Sequence, residues 1–148
     1  MGNQLTVLIS TIAAAISAIC AAVSSIMTYR LYRKNRLQKL DDRLNKILEI
    51  AVQYPYVEDA AFTSQWVEMK NASDKRYMRY DMYCNLLFNF LAAVYDYFGG
   101  KESEIENYVD VKSWVRLHKL NWQSPVDPNE NIDGYSNNFR NFINSYIQ

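Results

Sequence analysis

The sequence predicts an all-α protein: one N-terminal transmembrane helix continuing into a cytoplasmic helix, followed by a small all-helical domain. Three observations predict this fold class. Residues 5–29 carry no charged side chain, apolar residues recur at helical spacing along most of the 148 residues, and no segment shows the apolar–polar alternation of a half-buried strand. About 120 residues follow the uncharged segment, which is enough for one small domain.

The uncharged segment is long enough to cross a bilayer. Its 25 residues form about 37 Å of helix, against a hydrocarbon core of roughly 30 Å. No Lys or Arg precedes it, and it exceeds the apolar length of a signal peptide, so we expect an uncleaved anchor. Residues 30–46 hold seven basic and two acidic side chains, a net charge of +5. This asymmetry predicts a single pass through the membrane, with the N-terminus outside and the C-terminal domain cytoplasmic.

Small residues occupy one side of the predicted membrane helix. They form two neighbouring rows, each with a residue at every fourth position. The first row is Ser10, Ala14, Ala18 and Ala22, and the second is Ala13, Ser17, Ala21 and Ser25. A stripe of branched residues lies opposite, consisting of Ile9, Ile12, Ile16, Ile19, Val23 and Ile26. Small faces let membrane helices pack closely, so we expect a seam between copies of this helix. Five hydroxyl residues fall within one narrow sector of this helix: Thr6, Ser10, Ser17, Ser24 and Thr28. Two alternatives remain open for them: bonding to their own backbone carbonyls, or forming a seam between subunits that could line a pore.

We expect three regions along the chain: a membrane anchor at 1–29, a basic juxtamembrane helix at 30–53 that ends before Pro55, and a cytoplasmic helical domain at 54–148. Within the last region the pattern predicts a short helix at 57–69 and a buried central helix that is capped by Ser73 and stops at Gly99-Gly100. Helices at 102–110 and 111–123, a turn-rich loop at 124–134 and a C-terminal helix complete the prediction.

The sequence shows no recognisable catalytic or metal-binding pattern. Its one histidine, His118, has no second imidazole or cysteine pair at ligand spacing, and the four glycines form no phosphate-binding loop. A Cys84–His118 dyad is conceivable, but Cys84 lies within an apolar helix, where thiolate formation is suppressed. We therefore expect a protein that is not an enzyme and that has no cofactor or metal.

The helix predicted at 111–123 carries the candidate ligand-binding residues. Three cations at spacings of 4 and 3 lie on one face, and aromatic residues lie beside them: Lys112, Trp114, Arg116, His118, Lys119 and Trp122. Basic groups bind phosphates and indole rings stack on bases, so this combination suits a small nucleotide. The alternative is that the tryptophans belong to the core and the cations to a solvated face. An oligomer would favour ligand binding, because symmetry concentrates the cations around an axis.

The layout resembles the small membrane-anchored accessory effectors of bacterial type III CRISPR defence, which bind cyclic oligoadenylate. The features that carry the resemblance are the membrane helix, the basic juxtamembrane segment and the stretch SWVRLHKLNW at 113–122. The resemblance implies a homo-oligomer, a tetramer in that family, around cyclic tetra-adenylate, with a membrane part that disturbs the bilayer. Residues 47–148 hold nine basic and fourteen acidic side chains, so we expect such a ligand only at an interface, and no long nucleic acid.

The leading hypothesis is therefore a non-enzymatic membrane effector of antiviral defence. Its cytoplasmic domain would bind the cyclic nucleotide between subunits, and binding would change the packing of the membrane helices. The alternative is an inner-membrane-anchored scaffold or regulatory subunit that binds a protein partner through its aromatic residues, among them 12 Tyr and 3 Trp.

Overall fold

In the computed structural model, residues 2–127, 131 and 134–147 are described, and Leu5, Thr6 and Ala13 are described by their backbone alone. Parts of the predicted 124–134 loop, and the side chains of Thr6 and Ala13 on the small face, therefore lie outside the description. The described residues form helices and no strand, which confirms the all-α prediction. The helices are α1 (Gly2–Gln53), a 3-10 helix (Pro55–Glu58), α2 (Ala60–Thr63), α3 (Trp66–Met69), α4 (Lys75–Tyr97), α5 (Glu102–Tyr108), α6 (Val111–Gln123) and α7 (Asn137–Ser145).

The chain divides into two compact units, Met1–Lys39 (unit 1) and Leu40–Gln148 (unit 2). The division falls inside the predicted juxtamembrane region 30–53, which continues the apolar helix without a break, as the sequence predicted. Leu40 and Ile47, which lie near the end of α1, are buried in the core of unit 2. Residues 40–53 of α1 are therefore part of the helical domain.

Unit 1 is helical and exposes its apolar side chains. Among the described residues, one helix, α1, is long and apolar enough to cross a membrane, and its most apolar stretch is not buried within the protein. The Ser10 and Ser25 hydroxyls donate to the carbonyls of Val7 and Ala21, at 2.8 and 2.9 Å. Among the five hydroxyl residues of that sector, bonding to the helix's own backbone is therefore observed at Ser10, and Ser25 of the small face makes the same kind of bond.

The core of unit 2 is built around α4, which contributes nine buried residues between Tyr77 and Val94. These pack against apolar residues of the neighbouring elements: Leu40, Ile47, Val57, Trp66, Ile105, Val111, Val115, Trp122, Phe139 and Ile143. The predicted buried central helix, α4, is not buried on every side, because Met78, Met82 and Leu86 are 62, 64 and 46% exposed. They recur every four residues and form one solvent-facing row.

Two predicted boundaries were wrong. The segment 57–69 is not one helix but three short pieces, because the Asp59 carboxylate accepts from the Ala61 amide and starts a new helix there. The cap of α4 is Asp74 rather than Ser73, since Asp74 accepts from the Arg76 amide.

Two other predicted boundaries are confirmed. After α4, Gly99 and Gly100 take left-handed φ values of 62° and 74°. The bounds of α6 match the predicted 111–123.

Candidate functional site

The structure divides the six predicted ligand-binding residues between two sides of α6. Lys112, Arg116 and Lys119 are exposed, Trp114 is half-buried, and His118 and Trp122 are buried. The three cations therefore share one accessible face, which we call the cation row. Within one protomer the structure does not bring His118 or Trp122 onto that face, and the ligand-binding role of the six residues stays a prediction.

The cation row faces outward because the opposite side of α6 packs into the core. Val111, Val115 and His118 are fully buried along that side, so residues at spacings of 4 and 3 on the other side point to solvent. The helix begins at a well-defined cap, where the Asp110 carboxylate accepts from the Ser113 amide at 3.0 Å. This hydrogen bond from the backbone lowers the pKa of Asp110, so the cap remains ionised and stabilises the start of the helix that carries the row.

The two tryptophans pack against core rings. Trp114 meets Phe90 edge-on, with ring centroids 6.3 Å apart. Trp122 lies 4.7 Å from the Phe88 ring, and its Nε1 donates to the Asn144 Oδ1 at 2.9 Å. Both rings therefore stabilise the fold of unit 2, and Trp114 is the more accessible of the two for a stacked base.

His118 is the centre of a buried polar cluster, which we call the His118 cluster. Its Nε2 lies 3.4 Å from Glu58 Oε1, and its Nδ1 lies 3.1 Å from the Tyr80 hydroxyl. A ring protonated on Nε2 satisfies both contacts, because Nε2–H donates to the carboxylate and Nδ1 accepts from the tyrosine. Tyr83 also donates to Glu58 through a short hydrogen bond. The cluster thus joins the 3-10 helix, α4 and α6.

Electrostatics set the protonation of three partners of His118, namely Glu58, Tyr80 and Tyr83. Burial raises the pKa of Glu58, but the hydrogen bonds from His118 and Tyr83 outweigh it and the net pKa is lowered. Burial also raises the pKa of both Tyr80 and Tyr83. Glu58 is therefore an ionised acceptor at neutral pH, and the two tyrosines are neutral donors.

Cys84 lies beside this cluster, with its Sγ 3.9 Å from His118 Nδ1. The structure thus brings together the two residues of the conceivable dyad. However, the thiol is fully buried, and burial raises its pKa well above the usual value. The thiol is therefore held in its neutral, weakly nucleophilic form.

Sequence reasoning missed Glu58, Tyr80 and Tyr83 as partners of His118. Tyr83 and Cys84 lie 3 and 4 residues after Tyr80, so their placement on the same side of α4 as Tyr80 could have been read from the sequence. Glu58 is 60 residues from His118 and carries no local signal. Among the residues that the structure describes, no three His, Cys, Asp or Glu side chains are arranged to hold a metal ion.

Comparison with known proteins identifies no relative: no family model, curated protein or solved structure matches the chain.

Proposed function

We propose that the chain is a non-enzymatic membrane effector of antiviral defence. The apolar part of α1 anchors it in a bacterial inner membrane with the N-terminus outside. Its cytoplasmic unit 2 binds a cyclic oligoadenylate in a homo-oligomer and thereby alters the membrane part. The observation that carries this proposal is the cation row, exposed on a chain whose α1 is apolar enough to cross a bilayer.

Phosphate groups are the chemistry that the cation row fits best. Arg116 offers a planar fork of donors that can hold two phosphate oxygens, and Lys112 and Lys119 lie one turn away on either side. Residues 47–148 are acidic overall, so a single row attracts a polyanion weakly. Copies arranged about an axis would add their rows, and a ring-shaped ligand with repeated phosphates matches such symmetry.

The binding test uses the full chain in nanodiscs, titrated calorimetrically with cyclic tetra-adenylate. Arg116→Ala should weaken binding of cyclic tetra-adenylate by about tenfold or more, because it removes the guanidinium donors. Lys75→Ala is the matched control, since Lys75 is an exposed cation of unit 2 on a different helix. Binding should also weaken as salt rises. Absence of heat with the unaltered chain, or equal affinity in Arg116→Ala, would overturn the proposal.

The membrane step needs a separate measurement. The full chain is placed in liposomes that are loaded with a fluorescent dye. Cyclic tetra-adenylate added outside reaches the copies whose unit 2 faces outward, and it should cause the liposomes to release the dye. Arg116→Ala should release less dye at the same ligand concentration. Binding without any release or change in membrane order would contradict the effector step and leave the binding step standing.

The exposed row on α4 favours a second candidate function, a membrane-anchored scaffold that binds a protein partner. Met78, Met82 and Leu86 form an apolar row, and flexible methionines suit an interface with another protein. On this hypothesis Met82→Glu abolishes capture of a co-purifying protein, whereas Arg116→Ala leaves it unchanged and salt has little effect. The effector hypothesis instead predicts that binding of cyclic tetra-adenylate is weakened by Arg116→Ala and by salt, and is unchanged in Met82→Glu.

A further inference from the structure

A polar cavity lies between the end of α6 and α7. Its volume is about 520 Å³, within the range of roughly 300–1,000 Å³ that small-molecule sites occupy. The residues used below line it: Trp122, Gln123, Asn137, Arg140, Asn141 and Asn144. Five of its seven lining residues carry amide side chains, and the other two are Arg140 and Trp122.

The internal hydrogen bonds of the cavity fix some of these groups. Asn144 Oδ1 accepts from the Trp122 indole, so its NH₂ group is the part of the amide that can serve a ligand as donor. Arg140 donates to Asn137 Oδ1 and is half-buried, which holds the guanidinium at the cavity. Asn141 and Gln123 are exposed, and each side-chain amide offers an NH₂ donor beside a carbonyl acceptor.

The cavity lies at the end of α6, beyond the cation row, and Gln123 belongs to both the cavity and the face that carries the row. Lys112, Arg116, Lys119 and Gln123 follow one another at spacings of 4, 3 and 4 along α6 and therefore share a face. Gln123 lies one turn, about 6 Å, beyond Lys119 and lines the cavity. A ligand with phosphates on the row could therefore place an adjoining base in the cavity.

We infer that the cavity between α6 and α7 is a nucleobase subsite that takes adenine, with Asn141 and Gln123 reading the base edge and Arg140 supplying positive charge. This inference rests on the proposed function for the choice of adenine. Adenine presents an amino donor beside a ring-nitrogen acceptor, and a side-chain amide pairs with both at once. Of the five amides around the cavity, Asn131 already donates to the Asn121 and Trp122 carbonyls. Gln123, Asn137, Asn141 and Asn144 are therefore the candidates for reading a base edge.

The test uses adenosine 5′-monophosphate, so that it does not depend on the cyclic ligand. Ligand-observed NMR on the full chain in nanodiscs should detect binding of this nucleotide at millimolar concentration, with uridine 5′-monophosphate binding more weakly. Asn141→Ala should weaken binding of adenosine 5′-monophosphate by about tenfold, because it removes one amide that pairs with the base. Asn138→Ala is the matched control, because Asn138 is exposed on the same helix and does not line the cavity.

A second variant, Gln123→Ala, removes an exposed amide from α6 and should also weaken binding of the mononucleotide. Equal binding by Asn141→Ala, Gln123→Ala and Asn138→Ala, no binding by the unaltered chain, or equal affinity for the two nucleotides would overturn the inference. If cyclic tetra-adenylate binds and only Arg116→Ala weakens it, the subsite is refuted and the proposed function stands. If the mononucleotide binds as expected and the cyclic ligand does not, the subsite stands and the proposed function falls.

Discussion

At the scale of single residues, Glu58 links the protonation state of the domain to its stability. Its carboxylate accepts from His118 and Tyr83, and these bonds lower its pKa below the usual 4.5 although burial acts in the opposite direction. A carboxyl group whose pKa is lower in the folded state stabilises that state above its unfolded pKa. This stabilisation is lost as the pH falls below about 4.5, through the lower pKa of the folded state.

Glu58→Gln should therefore destabilise unit 2 in a pH-dependent way. At neutral pH the variant should lose about 1–3 kcal/mol of unfolding free energy, because a charged acceptor is replaced by a neutral one in a partly buried network. The loss should shrink as the pH falls below 4.5, where the native carboxylate becomes protonated. Urea unfolding of the full chain in detergent micelles, repeated across pH, measures both effects.

The control for this substitution is Glu68→Gln, which alters an exposed carboxylate of the same domain. It should change the unfolding free energy by less than about 0.5 kcal/mol at any pH. A deficit in Glu58→Gln that is the same at pH 7 as under acid conditions would contradict the assigned role of the charge.

Cys84 gives a second prediction at this scale. Because its thiol is fully buried and its pKa is raised, it should be inert towards thiol reagents in the folded protein. In a Cys20→Ser background, where Cys84 is the remaining cysteine, labelling should be at least about a hundredfold slower under native conditions than in urea. Rapid native labelling that depends on His118 would instead support a reactive dyad.

At the scale of elements, the sequence predicted most reliably where a helix carries its own start and stop signals. The bounds of α6 could be read because its apolar and basic residues alternate at helical spacing, and the end of α4 because two glycines follow it. The segment 57–69 was harder, since its apolar residues fit one helix while Asp59 caps a new one. In this segment the Asp59 cap determines where the helix begins, and the spacing of the apolar residues alone does not predict that break.

The two glycines after α4 provide a matched pair of substitutions. Both have left-handed φ values, so Gly99→Ala should cost about 1–2 kcal/mol of unfolding free energy through backbone strain. Gly100→Ala should cost more, because its Cβ would lie 2.8 Å from the Tyr95 hydroxyl oxygen, whereas no atom lies near a Cβ at Gly99. The Tyr95 ring packs on Phe139 and Phe142 and cannot easily move away. Thermal unfolding of both variants measures the difference. Equal losses of stability in Gly99→Ala and Gly100→Ala would contradict the prediction.

At the scale of the whole molecule, the sequence separated an apolar helix from a helical domain but could not complete the candidate site. The outward direction of the cation row followed from its spacing on α6. The burial of His118 did not, because Glu58 and Tyr80 reach it from segments 60 and 38 residues away. The cavity beside Trp122 likewise depends on packing between α6 and α7, which no local pattern encodes.

Self-association through the small face of the membrane helix is the prediction that the proposed function needs most. Ala18 lies on that face and Ile16 on the branched stripe opposite, and both are exposed within the protomer. Because lipid tails are as apolar as leucine, close packing rather than apolar burial drives such association. Ala18→Leu should therefore weaken oligomers of the full chain in detergent by about tenfold or more, as measured by sedimentation. Ile16→Ala should leave them intact, and a loss confined to Ile16→Ala would move the seam to the branched stripe.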